Sequence, residues 1–200
     1  MDLMCTRRIL FAILMGLGIP ATNAAELVKV DGSNTRFATT VEGMIGGKPV
    51  RCILTGAALR TKYFLSVYSI ASYVQEGVKI RDAESLARVN AVKRLHLVFE
   101  RAVDGKSMAK SFRESIGMNH PEPAFANELA KLERYFVAHP VRQGDHVWLT
   151  YVPGAGLGCQ VSNHPGLVIA NLDFAQAIWD VYLGPRNLST ALRSGLTSRL

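Results

Sequence analysis

The chain has no serine in a G-x-S-x-G turn, no glycine-rich phosphate loop, and no H-E-x-x-H or C-x-x-C spacing. The usual signatures of a hydrolase elbow, a nucleotide cradle and a zinc site are therefore missing. Its five histidines, His96, His120, His139, His146 and His164, stand far apart, mostly in turn-like or exposed settings. That spread points to surface roles rather than a metal site. Lysine and arginine are in excess, giving a net charge of +7, but they are scattered. There is no dense basic run, no basic patch interleaved with aromatics and no nucleic-acid motif. Most of these charges read as a solvated face, which leaves only a weak attraction to anionic lipid or acidic ligands. Nothing in the pattern calls for a cofactor.

Long apolar runs are also absent, except one. Arg7 and Arg8 precede an apolar stretch from Ile9 to Ile19, and the small residues "ATNAA" follow. This is the order of a basic n-region, an h-region and a cleavage site. The stretch is short for a membrane span, and Gly16, Gly18 and Pro20 weaken it as a helix. The expectation is a signal peptide over residues 1–24, cleaved near Ala24, and a periplasmic or secreted domain over residues 25–200. An uncleaved anchor is the alternative, and the export route stays open between the general secretory and twin-arginine systems. Without Asp2, Arg7 and Arg8 the net charge is about +6. Cys5 leaves with the leader. Cys52 and Cys159 remain, and an oxidising compartment permits a disulfide between them if their strands are neighbours. Two buried free thiols are the other reading.

The 200-residue chain is 48% hydrophobic, enough for one domain with a real core. "VEGMIGGKPVRCILTGAALR" reads as strand, Gly46-Gly47 turn, strand. "KYFLSVYSIASYVQ" continues in strand style. "DAESLARVN" reads as a short helix capped by Asp82. "KRLHLVFERAV" alternates, with Leu95, Leu97 and Phe99 on one face and His96, Val98 and Glu100 on the other. Two amphipathic helices follow, carrying Met108, Phe112 and Ile116, then Leu129, Leu132 and Phe136. "GDHVWLTYVPGAGLGCQVSN" reads as a hairpin. "LDFAQAIWDVYLG" is a helix stopped by Gly184, and Ser189 caps a last short helix. Strands joined by hairpins, without βαβ alternation, give an α+β fold: an antiparallel sheet with helices on one face.

One segment is anomalous. "GAALRTKYFLSVYSIASYV" is small and apolar except for Arg60 and the tyrosines Tyr63, Tyr68 and Tyr73. A buried cation needs a partner. Either a carboxylate of the protein, Glu42 or Glu100, pairs with Arg60, or an anionic ligand does. A guanidinium matches a carboxylate in bidentate fashion, and phenols supply neutral donors and apolar ring surface. Arg60, Tyr68 and Tyr73 are accordingly the candidate ligand-binding residues. Arg60 and Tyr68 share a face if the strand runs unbroken, although "RTKYF" has room for a turn.

The same segment resembles the G-x-x-x-R stretch and following strand of the chalcone isomerase-like family, in its short bacterial exported form. "LHLVFERAVDGKSMAKSFRESI", "GDHVWLTYVPGAGLGCQV" and "FAQAIWDVYLGPRNLSTALRSGL" resemble, in order, that family's strand-helix unit, hairpin and C-terminal signature. The resemblance covers nearly all of residues 40 to 197. It implies an open-faced β-sandwich, a large antiparallel sheet covered by helices with a ligand cleft between the layers. Plant members close a flavanone ring, plastid relatives bind fatty acids, and many bacterial members have no established activity.

Residue by residue, the family's arginine matches Arg60. Tyr68 stands where the plant enzymes have threonine. Their tyrosine and lysine fall on Met108 and Ser111, with Lys110 one position out of register, and their late serine or threonine falls on Val181. Three readings follow. The first is a binding protein for a small amphipathic carboxylate, such as a fatty acid, or for a phenolic ligand. The second is an isomerase of the intramolecular lyase type with an unknown substrate. The third is a structural or partner-binding domain in which Arg60 is satisfied internally. No oligomeric state follows from the sequence.

Overall fold

The computed structural model describes residues 26–200, so the leader expected over residues 1–24 lies outside the described residues. The chain opens with a small hairpin of β1 (Leu27–Lys29) and β2 (Arg36–Ala38). Then come β3 (Thr40–Ile45), β4 (Lys48–Lys62), β5 (Leu65–Gln75), α1 (Ala83–Arg88) and β6 (Lys93–Phe99). The second half holds α2 (Gly105–Gly117), α3 (Ala126–Ala138), β7 (His146–Val152), β8 (Gly156–Val161), β9 (Leu167–Ile169), α4 (Leu172–Leu183) and α5 (Thr190–Leu196). Strands β3 to β9 form one seven-stranded sheet in chain order. Every neighbouring pair is antiparallel. The α+β, helix-covered sheet expected from the sequence is the fold found.

Alternation sorts the two faces. Leu95, Leu97 and Phe99 of β6, with Val147, Leu149 and Tyr151 of β7, enter the large core under the helices. Residues of opposite parity turn to the far face, where Phe37 of the small hairpin packs with Cys52, Leu54, Ala71 and Tyr73. The helices start where short polar side chains can satisfy free backbone N–H groups. Asp82, Asp104, Asn171 and Ser189 each accept from a first-turn amide of α1, α2, α4 and α5. Helix α4 is buried nearly all round, from Phe174 to Leu183, and forms the centre of the helix layer. Gly56 is needed where α5 docks, because a Cβ there would run into the backbone oxygen of Gly195, and its φ is +155°.

Strand β4 turns tightly at both ends. Gly46 and Gly47, at φ +59° and +77°, connect it to β3. Tyr63 and Phe64, at φ +50° and +65°, connect it to β5. Two central residues with positive φ are the geometry that matches the twist of a hairpin. The strand expected from Lys62 onward is therefore broken, and β5 begins only at Leu65.

Cys52 and Cys159 are free buried thiols. Four strand steps from β4 to β8 separate them by about 19 Å, far beyond disulfide reach. They also face opposite sides, Cys52 in the far-face cluster and Cys159 under the helices. The disulfide alternative is thereby corrected.

Candidate functional site

The Tyr63-Phe64 turn folds β4 back on β5 and sets Arg60 directly opposite Tyr68. Opposed residues of paired strands share a face, so both side chains lie on the helix side. Cross-strand pairing, not parity along one strand, brings them together. A register shift follows between Arg60 and Thr61, leaving Val67 as the extra residue of a bulge. Val67 and Tyr68 then both reach the wall of a cavity between sheet and helices.

That cavity has a volume of about 70 Å³ and is walled by Val67, Tyr68, Leu97 and Phe99 from the sheet side. Met108, Ser111, Phe112 and Ser115 of α2, Val181 and Tyr182 of α4, and Leu188 close it from the helix side. Tyr68 and Tyr182 place their hydroxyl oxygens 3.4 Å apart. Burial pushes the Tyr68 hydroxyl up from its ordinary pKa, against the Tyr182 hydrogen bond and the positive field of Arg60, which pull it down. Burial drives Tyr182 well above its ordinary value, with Tyr68 adding to the rise and Arg60 opposing it. Both phenols therefore stay neutral at physiological pH and can donate hydrogen bonds. Ser115 is already engaged, since its hydroxyl donates to the Ser111 carbonyl at 2.7 Å.

Arg60 is half-buried beside this hydroxyl pair. Among the described residues it makes no ion pair; the salt bridges found join other side chains. Neither suggested carboxylate reaches it. Glu100 lies on the far face, where it accepts from Ser33, Thr35 and Ser69 at 2.6, 3.0 and 2.5 Å. Burial would raise the Glu100 carboxyl, but these three hydroxyls outweigh it and hold it below its ordinary pKa. Glu42 sits exposed on β3, opposite Arg51.

Tyr73 is not part of the site. It stands five positions after Tyr68 and so faces the other side. There its hydroxyl donates to the Ala38 carbonyl at 3.0 Å, and it packs in the far-face cluster. The positions matched to the plant polar residues, Met108, Ser111 and Val181, do line the cavity, and only Ser111 carries a hydroxyl. Tyr182 was not singled out from the sequence. It lies in a helix whose apolar residues run all round, so no periodicity marked its phenol as facing a cavity.

Two other polar groups are more buried than their sequence setting suggests. His96 is half-buried: it stacks 3.7 Å from the Trp148 ring centre and meets His146 through an Nε2–Nδ1 contact of 2.7 Å. Burial first, then the His146 and Arg94 charges, lowers it to about 3. Lys93, at the start of β6, is fully buried on the helix side. It donates to the Ala87 carbonyl and lies under the rings of Tyr151 and Trp179. Burial pulls it to about 7, with Asp180 opposing the shift. Among the described residues no group of three or more metal-ligating side chains stands close enough to hold a metal ion.

A curled antiparallel sheet with helices on one face and a small cavity between the layers defines an open-faced β-sandwich. The chain belongs to the chalcone isomerase-like family, whose model matches residues 29–197. No curated protein matches it by sequence. Among solved structures it is similar to a fatty-acid binding protein of Arabidopsis thaliana. The TM-score is 0.66 and the identity 17%, over 86% of this chain and 96% of that chain. At that identity the likeness shows the fold.

Proposed function

We propose that this protein binds a small amphipathic carboxylate, with a fatty acid as the leading candidate, and that it does so as an exported domain. One observation carries the reading: Arg60 has no carboxylate partner among the described residues and stands beside two neutral phenols at an apolar cavity. In this reading the guanidinium takes the carboxylate through paired N–H donors, and Tyr68 and Tyr182 donate to its remaining lone pairs. The tail lies between Phe99 of the sheet and Met108 and Phe112 of α2. The similar Arabidopsis structure is that of a fatty-acid binding protein, which agrees with this ligand class.

The cavity of about 70 Å³ has room for about two waters, whereas ligand sites run from about 300 Å³ upward. Tail entry therefore requires the helix layer to move away from the sheet. An isomerase would need a group poised to move a proton near neutral pH. Both phenols are pushed away from that range, and Met108 and Val181 offer no hydroxyl. These facts weigh for binding over catalysis.

The test is native purification of the full chain, organic extraction and mass spectrometry, run beside Arg60→Met. An acidic amphiphile at one per chain that is lost from the variant supports the proposal. The same amphiphile retained by the variant refutes the role of Arg60.

A further inference from the structure

The connection between β4 and β5 is built against ordinary turn chemistry. A two-residue turn with positive φ at both positions is normally Asn-Gly or Gly-Gly, because a Cβ is strained there. The chain uses Gly46-Gly47 for one such turn and Tyr63-Phe64 for the other. Nothing packs on these two aromatic rings from the body of the domain. Phe64 is 104% exposed and Tyr63 84%, the two most exposed large apolar residues among those described, and Leu65 beside them is 52% exposed. An observed backbone outlier that holds three apolar side chains in water asks for a functional reason.

Its place and charge supply one. Pairing of β3 with β4 stops at Thr40–Ile53, and pairing of β5 with β6 stops at Tyr68–Phe99. The Glu100 N–H still donates to the Val67 carbonyl at 2.9 Å, so residues 61–66 project beyond both neighbouring strands as a two-stranded ribbon. From Leu54 to Gln75 there is no acidic residue, while Arg60 and Lys62 are cationic. The Lys62 ammonium sits 5.7 Å from the Tyr63 ring centre. The nearest carboxylate along β6, Glu100, is turned to the far face and held by three hydroxyls, and exposed Arg101 follows it.

We infer that this ribbon tip docks on an anionic lipid bilayer, with Tyr63, Phe64 and Leu65 entering the headgroup boundary and Lys62 meeting lipid phosphates. Aromatic rings with a polar tip or a neighbouring cation favour that boundary, and basic residues strengthen attachment to anionic lipid. A protein partner is disfavoured by size. Three side chains on a narrow tip cannot supply the 20–30 residues a side that a stable protein interface uses, about 800 Å² per partner. The docking does not depend on the ligand proposed above. It would place Val67 and Tyr68, three and four residues beyond Phe64 and on the cavity wall, close to the lipid surface.

The test uses the full chain carrying Phe64→Trp, with emission read as the difference from the unsubstituted chain, which holds Trp148 and Trp179. The probes are vesicles of phosphatidylcholine alone and of phosphatidylcholine with an equal share of phosphatidylglycerol. The anionic vesicles should shift the difference emission to the blue, and brominated acyl chains should quench it. Adding Lys62→Gln should raise the lipid concentration needed by about fivefold. An unshifted, unquenched tryptophan at position 64 overturns the inference. So does a blue shift that grows with protein concentration in the absence of lipid, which would mean that a second copy covers the tip. The double variant Tyr63→Asn, Phe64→Gly should melt at a higher temperature, because Asn-Gly suits this turn. A lower melting temperature would show that the rings serve the fold, and would count against the inference.

Discussion

Arg60 and Arg94 stand on opposite faces of one sheet, and the protein treats the two guanidinium groups in opposite ways. Arg94 is only 8% exposed and lies 4.2 Å from the centre of the Trp148 ring. It shares the far-face layer with Tyr73 and Cys52, and Gly43 leaves room for its Nη1. Burial lowers its pKa from the ordinary value, and the polarisable ring face takes the place of a counter-ion. Arg60 is half-buried, has no ring over it and no carboxylate beside it among the described residues, and its neighbours are two phenols at a cavity. The protein has closed over one cation and left the other half-buried beside two phenols that line the cavity. Charge alone marks neither as functional; what covers the charge separates them.

Four perturbations sharpen this contrast. The largest effect is expected from Trp148→Ala, which removes the cover from Arg94 and leaves a desolvated cation against a void. The cost should be about 3 kcal/mol, read from the denaturant midpoint. Next is Arg60→Met, which should leave that midpoint within about 0.5 kcal/mol, since no partner is orphaned. It should weaken binding of a fatty acid ten- to a hundredfold, the worth of about 1.5–3 kcal/mol for a hydrogen bond to a charged group. If the two outcomes were exchanged, with Trp148→Ala harmless to the fold and Arg60→Met unfolding it, the assignment of roles would be reversed.

Third is Tyr182→Phe. It removes one neutral donor and should cost about 1 kcal/mol of binding, or about fivefold, measured by the same titration. The fourth is a pH response of the far face. His96 is lowered to about 3 from an ordinary 6.5, chiefly by burial. The unfolded chain takes up that proton first as the pH falls, so this contribution to stability is full above pH 6.5 and is lost progressively down to about pH 3. In His96→Phe the drop in denaturant midpoint over that window should be shallower than in the unsubstituted chain, and an equal slope would remove His96 from the account.

Much of the architecture was legible because local signals agreed with the packing. Asp82 and Ser189 cap helices as their positions suggest, Gly46-Gly47 makes its hairpin, and Leu95, Leu97 and Phe99 share the core face. Strands β1, β2 and β9 were not visible, because three residues are too few to display alternation. The turn at Tyr63-Phe64 stayed only a possibility within "RTKYF" for a different reason. It carries none of the glycine or asparagine that usually marks positive φ, so strand-like aromatics ran straight through it. That turn also explains the site. Arg60 and Tyr68 do belong together, through the register it creates, while Tyr73 falls on the other face by parity. Tyr182 and the histidine stack over Trp148 come from elements distant in sequence, and only the tertiary fold places them.

The most direct measurement is an NMR titration of the full chain with a fatty acid carrying ¹³C at its carboxyl, compared with Arg60→Met and Arg94→Met. The bound carboxyl should stay ionised below the pH at which the free acid titrates, because a guanidinium favours the charged form. Its resonance should be lost in Arg60→Met and retained in Arg94→Met. A bound resonance unaffected by Arg60→Met, or one lost equally in both variants, would contradict the claim that Arg60 is the cation left open for a ligand.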